Sequence, residues 1–230
     1  SSSELAVAQE VFSLSKVNIA VSEALAHDLT ALFNRNFTVI PNIVDTDYFI
    51  PSTQKTEKFT FLNVAHLNPN KNHQLLVKAF AELVKQKDAR LVIAGAGEER
   101  KNLEQLIKSL GLEKKVSLFG IATRKEVRML MQQANCFVLS SKLETFGVVL
   151  IEAMACGIPV VSTKCGGPNK IVEEETGILC SFTVSGMSES MLDMMRKDMD
   201  GQLIRKKVVE RYSKHSVSEK IIDNYHLCTK

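Results

Sequence analysis

The sequence predicts an α/β chain built around a doubly wound parallel sheet. Two observations carry this reading. Short β-rich runs alternate with longer amphipathic stretches, the pattern of right-handed βαβ units. The short runs are also apolar throughout instead of alternating, as strands buried on both faces are.

The elements follow in order. VNIAV at Val17–Val21 reads as a strand, and Ser22 as the N-cap of a helix running to about Asn34, with Glu23 in its favourable first turn. FTVI at Phe37–Ile40 leads into the Pro41-Asn42 turn signal, and the polar segment Pro51–Lys58 reads as linker. Phe59–His66 (FTFLNVAH) is the first strand of the main block. Asn72–Lys87 follows, with Leu75, Leu76, Ala79, Phe80, Leu83 and Val84 at helical spacing. Then come a strand at Leu91–Gly95, a helix over about Glu98–Leu110, a strand at Val116–Phe119 and a helix near Arg124–Gln133. Cys136–Leu139, Pro159–Ser162 and Gly177–Cys180 read as further strands, with a helix at Val148–Ala155 after the first of them. Gln202–Ser213 and Ser218–Leu227 read as two closing helices. A strand and helix ahead of the main block, with nothing before them to complete a sheet, look like the end of another domain, because a lone edge strand is not stable by itself. The expected division is therefore residues 1–36 as that remnant, 37–57 as linker, 58–200 as the doubly wound domain and 201–230 as the closing helices.

Composition removes several function classes. At 230 residues the chain is about one and a half ordinary domains. Lys plus Arg at 29 against Asp plus Glu at 26 leaves a net charge of +3, too little for a nucleic-acid binder that works by neutralising phosphates. Aromatics at 6% and the absence of Trp also disfavour a base-stacking surface. No apolar run approaches the roughly 18 residues of a membrane span, and Ser1-Ser2-Ser3-Glu4 has no signal-peptide character. Cys136, Cys156, Cys165, Cys180 and Cys228 are odd in number and form no C-x-x-C pair. They read as reduced, mostly buried thiols of a cytoplasmic protein, with no disulfide scaffold and no metal site.

Open parallel sheets bind ligands outside the carboxyl ends of their strands. Three such ends carry candidate chemistry. In SSKLETFGVVLIE (Ser140–Glu152), Glu144 precedes Thr145-Phe146-Gly147, which lead straight into an apolar helix. Free N–H groups near Phe146–Val149 and the helix dipole suit an anion such as a diphosphate, and Gly147 permits close approach. Glu152 has only apolar neighbours, so its carboxylate needs hydroxyls, N–H groups or a cation. The eight-residue offset is a rise of about 12 Å if helical throughout, suited to gripping two hydroxyl-rich parts of one ligand. The plainer alternatives are that Glu144 complements the dipole and that Glu152 pairs with a structural Arg or Lys.

The second strand end is His66-Leu67-Asn68-Pro69-Asn70-Lys71-Asn72, where Lys71 at the start of a helix opposes the dipole and makes sense if it reaches an anionic ligand. A solvated lysine and a satisfied strand-end histidine are the alternatives. At the third, Gly95-Ala96-Gly97 opens like a dinucleotide fingerprint, but Arg100 stands where the third glycine belongs and Glu98-Glu99 would repel a pyrophosphate. It reads as a tight turn lining the cleft. Gly166-Gly167-Pro168 reads as a flexible loop or turn. The basic stretch Arg205, Lys206, Lys207, Arg211 and Lys214 is either a peripheral membrane contact or, more commonly, a solvated helix face.

Taken in order, AVSEAL, VIPNIVDTDYFIP, NVAHLNPNKNHQLLVKAF, LVIAGAGEE, VSLFG and ETFGVVLIEAMACGIPVVSTKCGG make the chain resemble family 4 (group 1) retaining glycosyltransferases. The matching part is the C-terminal, nucleotide-sugar-binding half of their GT-B fold, which is Rossmann-like. The resemblance runs from about Lys16 nearly to the C-terminus.

It implies transfer of a hexosyl group from a nucleotide-diphosphate sugar to a glycan or lipid-linked acceptor, as in polysaccharide assembly, with no cofactor and no metal. Glu144 would contact the transferred sugar and Lys71 the phosphate, both as catalytic residues. Glu152 would accept from the ribose diol. The amides of Phe146, Gly147, Val148 and Val149 would hold donor hydroxyls and diphosphate. Gly95 and Gly97 would lie beside the base, and Asn42 and Asp45 would face the cleft. His66 stands where the family often carries Arg. The acceptor would be held by an N-terminal domain of which only the last strand and helix remain, so this chain is expected to bind donor and transfer weakly or not at all. Two other readings remain open here: a nucleotide-sugar 2-epimerase of the same fold and a non-catalytic nucleotide-binding module.

Overall fold

The computed structural model describes residues 2–53 and 56–228. In chain order the elements are α1 (Ser2–Leu14), β1 (Ile19–Ala20), α2 (Glu23–Phe33), β2 (Thr38–Val39), β3 (Thr60–Val64), α3 (His73–Leu83), β4 (Arg90–Ala94), α4 (Arg100–Ser109) and β5 (Val116–Gly120). They continue with α5 (Arg124–Gln133), β6 (Cys136–Leu139), α6 (Val148–Ala155), β7 (Val160–Thr163), α7 (Pro168–Ile171), β8 (Gly177–Cys180), α8 (Val184–Arg196), α9 (Gly201–Tyr212) and α10 (Lys214–Cys228). Strands β3 to β8 form one parallel sheet in the order β5-β4-β3-β6-β7-β8.

Both faces of that sheet are packed. On one, Phe61, Leu91, Ile93 and Val138 meet Phe80 of α3, Leu103 of α4 and Met187 and Met191 of α8. On the other, Leu62, Phe137 and Leu139 meet Met131 of α5, Leu150 and Met154 of α6 and Ile204 and Val208 of α9. Full burial of each such side chain contributes about 1.5–3 kcal/mol. The predicted doubly wound sheet is therefore the observed one. Its chain order reverses between β3 and β6, and a crevice at this switch point is where such sheets bind ligands.

The predicted boundaries of α5, β6, α6 and β8 match residue for residue, and most others differ by a few residues. Helices α1, α7 and α8 were not anticipated. Gly167-Pro168 is not a flexible turn but the start of α7, with Pro168 at the first helical position, where its missing N–H costs nothing. The first strand is not alone either: β1 pairs in parallel with β2, Ile19 opposite Thr38 and Ala20 opposite Val39. Ser22 caps α2 as predicted, its Oγ accepting from Leu25 N at 3.2 Å, and Asn34 closes the helix in the left-handed region at φ 53°. The same hydroxyl donates to Thr145 O at 2.6 Å, and Lys170 pairs with Glu23 at 2.9 Å. The N-terminal segment is thus fastened to the loop that carries Glu144.

The basic stretch is tied down by ion pairs and hydrogen bonds, while Lys206, Arg211 and Lys214 keep exposed side chains. Arg205 donates to Phe49 O at 2.8 Å, Ala155 O at 2.6 Å and Thr46 O at 2.7 Å. Lys207 pairs with Glu173 at 2.6 Å, Arg211 pairs with the same carboxylate, and Lys214 reaches Asp45 at 2.9 Å. Cys136, Cys156, Cys165 and Cys180 are buried and form no disulfide, and burial pushes the Cys180 thiol up to about 12. The Cys228 side chain lies outside the described residues, as do Gln54 and Lys55 of the polar linker.

Arg205→Met tests the clamp. It leaves three carbonyls without their donor and is expected to cost about 2–4 kcal/mol in urea denaturation, whereas Lys206→Met, which removes a long ion pair at 3.9 Å, should cost under about 1 kcal/mol. Equal losses from the two would remove Arg205 as the tie between α9 and the segment after β2.

Candidate active site

β3 and β6 pair only at Phe61 with Cys136 and Leu62 with Phe137, and the loops that follow them meet again above the sheet. Lys142 N donates to Asn70 O at 2.8 Å, Asn70 Nδ2 to Leu143 O at 3.0 Å and Ser140 Oγ to Lys71 O at 2.7 Å. Between these ties Lys71 Nζ meets Glu144 Oε1 at 2.5 Å, and Ser141 Oγ donates to the same oxygen at 2.7 Å. The pair is largely withdrawn from water, its side chains 23% and 14% exposed. Ser141 is held in turn by Thr163 Oγ1, which donates to its carbonyl at 2.6 Å.

Counting donors and acceptors shows what the pair has left. An ammonium carries three N–H groups, and one goes to Glu144. Glu144 Oε1 takes both Lys71 and Ser141, while Oε2 accepts from no described residue. The cluster therefore offers one carboxylate oxygen and up to two charged donors to a ligand at the switch point. Lys71 also departs from the sequence reading: Asn72 is the N-cap and α3 starts at His73, so Lys71 lies just outside the helix.

The Glu144 backbone is pinned from the far side. Glu144 N donates to Cys165 O at 2.7 Å and Gly167 N donates to Glu144 O at 2.8 Å. A Cβ on Gly167 would stand 2.5 Å from Phe146 Cα, so only glycine permits this approach. Gly147 caps α6 at φ 97°, and that left-handed conformation, more than close approach to a ligand, calls for its glycine. The amides of Val148 and Val149 begin α6 without intrahelical acceptors. Phe146 contributes at most its backbone, since its ring is buried edge-on against Tyr212 at 5.6 Å. The span from Glu144 to Glu152 is not helical throughout: α6 begins only at Val148, so the first half is an irregular turn.

Glu152 meets neither of its predicted structural partners. Its carboxylate makes no hydrogen bond or ion pair with any described residue. Burial pushes it up to about 7, and the charge of Arg124 partly opposes the shift. Arg124 itself stacks over Tyr48 at 4.7 Å and reaches Asp45 at 3.7 Å. The sequence reading missed Arg124 and Ser141: Ser141 stands inside SSKLETFGVVLIE three residues before Glu144, whereas Arg124 belongs to no spaced motif and acts across the fold.

The remaining candidates divide. The tight turn runs from Gly97 to Arg100 instead of through Gly95-Ala96-Gly97, and the backbone that Gly95 and Gly97 approach, at φ 150° and 157°, is the chain's own: Cβ atoms there would lie 1.8 Å from Ala65 O and 2.3 Å from Leu67 O. Leu67 N donates to Ala96 O at 2.8 Å, locking the loops after β3 and β4 together. His66 is exposed on that joined surface. Asn42 is half-buried after β2, and none of its hydrogen bonds among the described residues reaches the Lys71–Glu144 cluster. Asp45 is committed to Lys214, whose hydrogen bond chiefly holds its carboxyl below the usual range. Among the described residues no three His, Cys, Asp or Glu side chains gather as a metal site would require, and no helix is long and apolar enough to cross a membrane.

Residues 45–215 match the family described as glycosyl transferases group 1. The chain belongs to that family. It is similar to N-acetyl-alpha-D-glucosaminyl L-malate synthase of Bacillus anthracis, 30% identical over a match of 229 positions that covers 92% of this chain and 58% of that protein. It is also similar to a human phosphatidylinositol N-acetylglucosaminyltransferase, 32% identical over 77% of this chain and 36% of the relative. Its fold matches that of Anabaena HepE, solved in complex with UDP and glucose, with a TM-score of 0.85 at 23% identity, over 98% of this chain and 67% of the other. The chain thus spans between about a third and three fifths of the length of these two curated relatives.

Because Glu152 binds its proton more tightly folded than unfolded, its contribution to stability is present below pH 4.5 and is lost as pH rises through about 7. Glu152→Gln should therefore match wild type near pH 5 and exceed it by about 1–3 kcal/mol at pH 8.5 in urea denaturation. A difference that does not change with pH would show that this carboxylate is not desolvated.

Proposed function

We propose that this chain carries the donor site of a retaining glycosyltransferase that moves a hexosyl group from a nucleotide-diphosphate sugar to a glycan or lipid-linked acceptor. The observation that carries the proposal is the Lys71–Glu144–Ser141 cluster, set where the order of the sheet reverses and beside the free amides of α6.

The roles follow from what each group has left to give. Glu144 Oε2 accepts from a hydroxyl of the transferred sugar. Lys71 and the first amides of α6 face the diphosphate, where negative charge grows as the sugar becomes oxocarbenium-like. Preorganised positive potential there stabilises the transition state more than the ground state. Glu152, lacking a partner, accepts from the ribose diol, and Gly95, Gly97 and His66 border the base and diphosphate. Asn42 faces the cleft. Protein cations take the part a divalent ion plays elsewhere, and no side chain is assigned as a covalent nucleophile. The names of the two curated relatives favour N-acetylglucosamine as the first sugar to try, and the neighbour solved with UDP favours uridine as the base.

Calorimetric titration of UDP, GDP, ADP and their glucose and N-acetylglucosamine conjugates tests this. One nucleoside diphosphate should bind, and Lys71→Ala and Glu152→Gln should each weaken it by about 1–3 kcal/mol. Since hydroxyls donate best to an ionised carboxylate, wild-type affinity should fall as pH drops through about 7 more steeply than that of Glu152→Gln, the titration of the phosphate itself being common to both. Binding that neither substitution alters would dismiss the site.

A further inference from the structure

The junction of β3 and β6 holds a buried polar pair that the roles above do not use. Asn63 follows the last residue of β3 that pairs with β6, and the register continued by one step sets it opposite Val138. The paired residues stop one step before it, at Leu62 and Phe137. Instead Asn63 Nδ2 donates to Val138 O at 2.8 Å, and Asn63 Oδ1 lies 2.9 Å from His73 Nε2. Asn63 and His73 are 1% and 2% exposed. Two buried polar side chains in the floor of a sheet are costly unless their hydrogen bonds require one arrangement.

These hydrogen bonds do require one. A carbonyl only accepts, so the Asn63 amide must turn its NH₂ to Val138 and its oxygen to His73. That oxygen only accepts as well, so His73 must donate from Nε2. Nδ1 then carries a lone pair, and it is buried without a partner among the described residues. A neutral ring fits this chain of donors. Burial and the nearby Lys71 charge hold His73 down to about 4, so the ring does not compete with Lys71 as a second cation.

The pair lies at the root of the Lys71 loop. His73 opens α3 directly after Asn72, which sits in the left-handed region at φ 51°, a conformation costly to a non-glycine residue unless its neighbours enforce it. Lys71 immediately precedes that kink. Lys71 itself is tied through its carbonyl to Ser140, just beyond β6, and two residues further on the buried contact of His73 with Asn63 holds the start of α3.

We infer that Asn63 and His73 are a positioning pair: they hold β3 and β6 at a fixed spread where the ladder ends and fix the kink that aims Lys71 at the donor diphosphate. The inference rests on the donor-site reading of Lys71, and its test separates the two.

His73→Leu removes the donor to Asn63, and His73→Gln offers an amide N–H in its place. UDP affinity by calorimetry and amide exchange of residues 66–72 by mass spectrometry are measured for both, for Lys71→Ala and for Lys71→Ala/His73→Leu. The Leu variant is expected to bind UDP about tenfold more weakly and to exchange the loop amides faster, with Gln recovering most of both. In the Lys71→Ala background His73→Leu should weaken UDP no further. Equal weakening in both backgrounds would mean a merely structural role and overturn the inference, as would unchanged affinity and exchange. If wild type binds no UDP, the donor reading fails and the exchange data alone decide: faster exchange in Leu with recovery in Gln supports the pair, and unchanged exchange ends it. Should His73→Leu not fold, Asn63→Ala carries the same two measurements and the same outcomes.

Discussion

Strands β3 and β6 part after two residue pairs, and nearly everything chemical in this molecule depends on how that parting is bridged. A parallel sheet that reverses its winding order must open between the two central strands, since their crossover helices leave toward opposite faces. The opening exposes backbone groups that need partners and gathers loop residues far apart in sequence. Here the bridging is done by side chains: Asn63 below, Ser140 and Asn70 above, and the Lys71–Glu144 ion pair between the loops. The pair is both a structural tie and the charge-bearing group at the junction of the two strands.

The two glutamates show how environment divides similar side chains. Glu144 has a cation, a hydroxyl and a backbone pinned through Cys165 and Gly167, so one of its oxygens is fully engaged and the other is presented at a fixed place. Glu152 rises from an apolar helix with no partner, and burial raises its proton affinity into the neutral range. A desolvated acceptor without internal donors gains more from a ligand's hydroxyls than one already satisfied. The stability given up by leaving Glu152 unpartnered is of the kind functional sites accept.

Much of this was legible in the residues. The uninterrupted apolar runs located β6 and β8 residue for residue, and the helix expected between the strands at Arg124–Gln133 is α5. Helix α8 was not anticipated, because VSGMSESMLDMMR spreads its buried Met187, Met191 and Met194 among serines and a glycine, and packing on α3 overrides the weak local preference. The partner of β1 was missed because a strand of two residues leaves almost no pattern. Glu152 stood out as a charge among apolar neighbours and Glu144 by its place at a strand end before an apolar helix, whereas the contact of Lys71 with Glu144 spans 73 positions and follows from topology alone. Gly95 and Gly97 were read as a turn from their residues, but what requires glycine there, the passage of the β3 loop against them, is a tertiary fact.

The account stands most directly on where a nucleotide lodges. A crystal structure of this chain with UDP should show the diphosphate within hydrogen-bonding distance of Lys71 Nζ and the start of α6, with the ribose diol on the Glu152 carboxylate. UDP found away from the junction of β3 and β6, with Glu152 touching none of it, would contradict the central claim that the parted strands form the donor crevice.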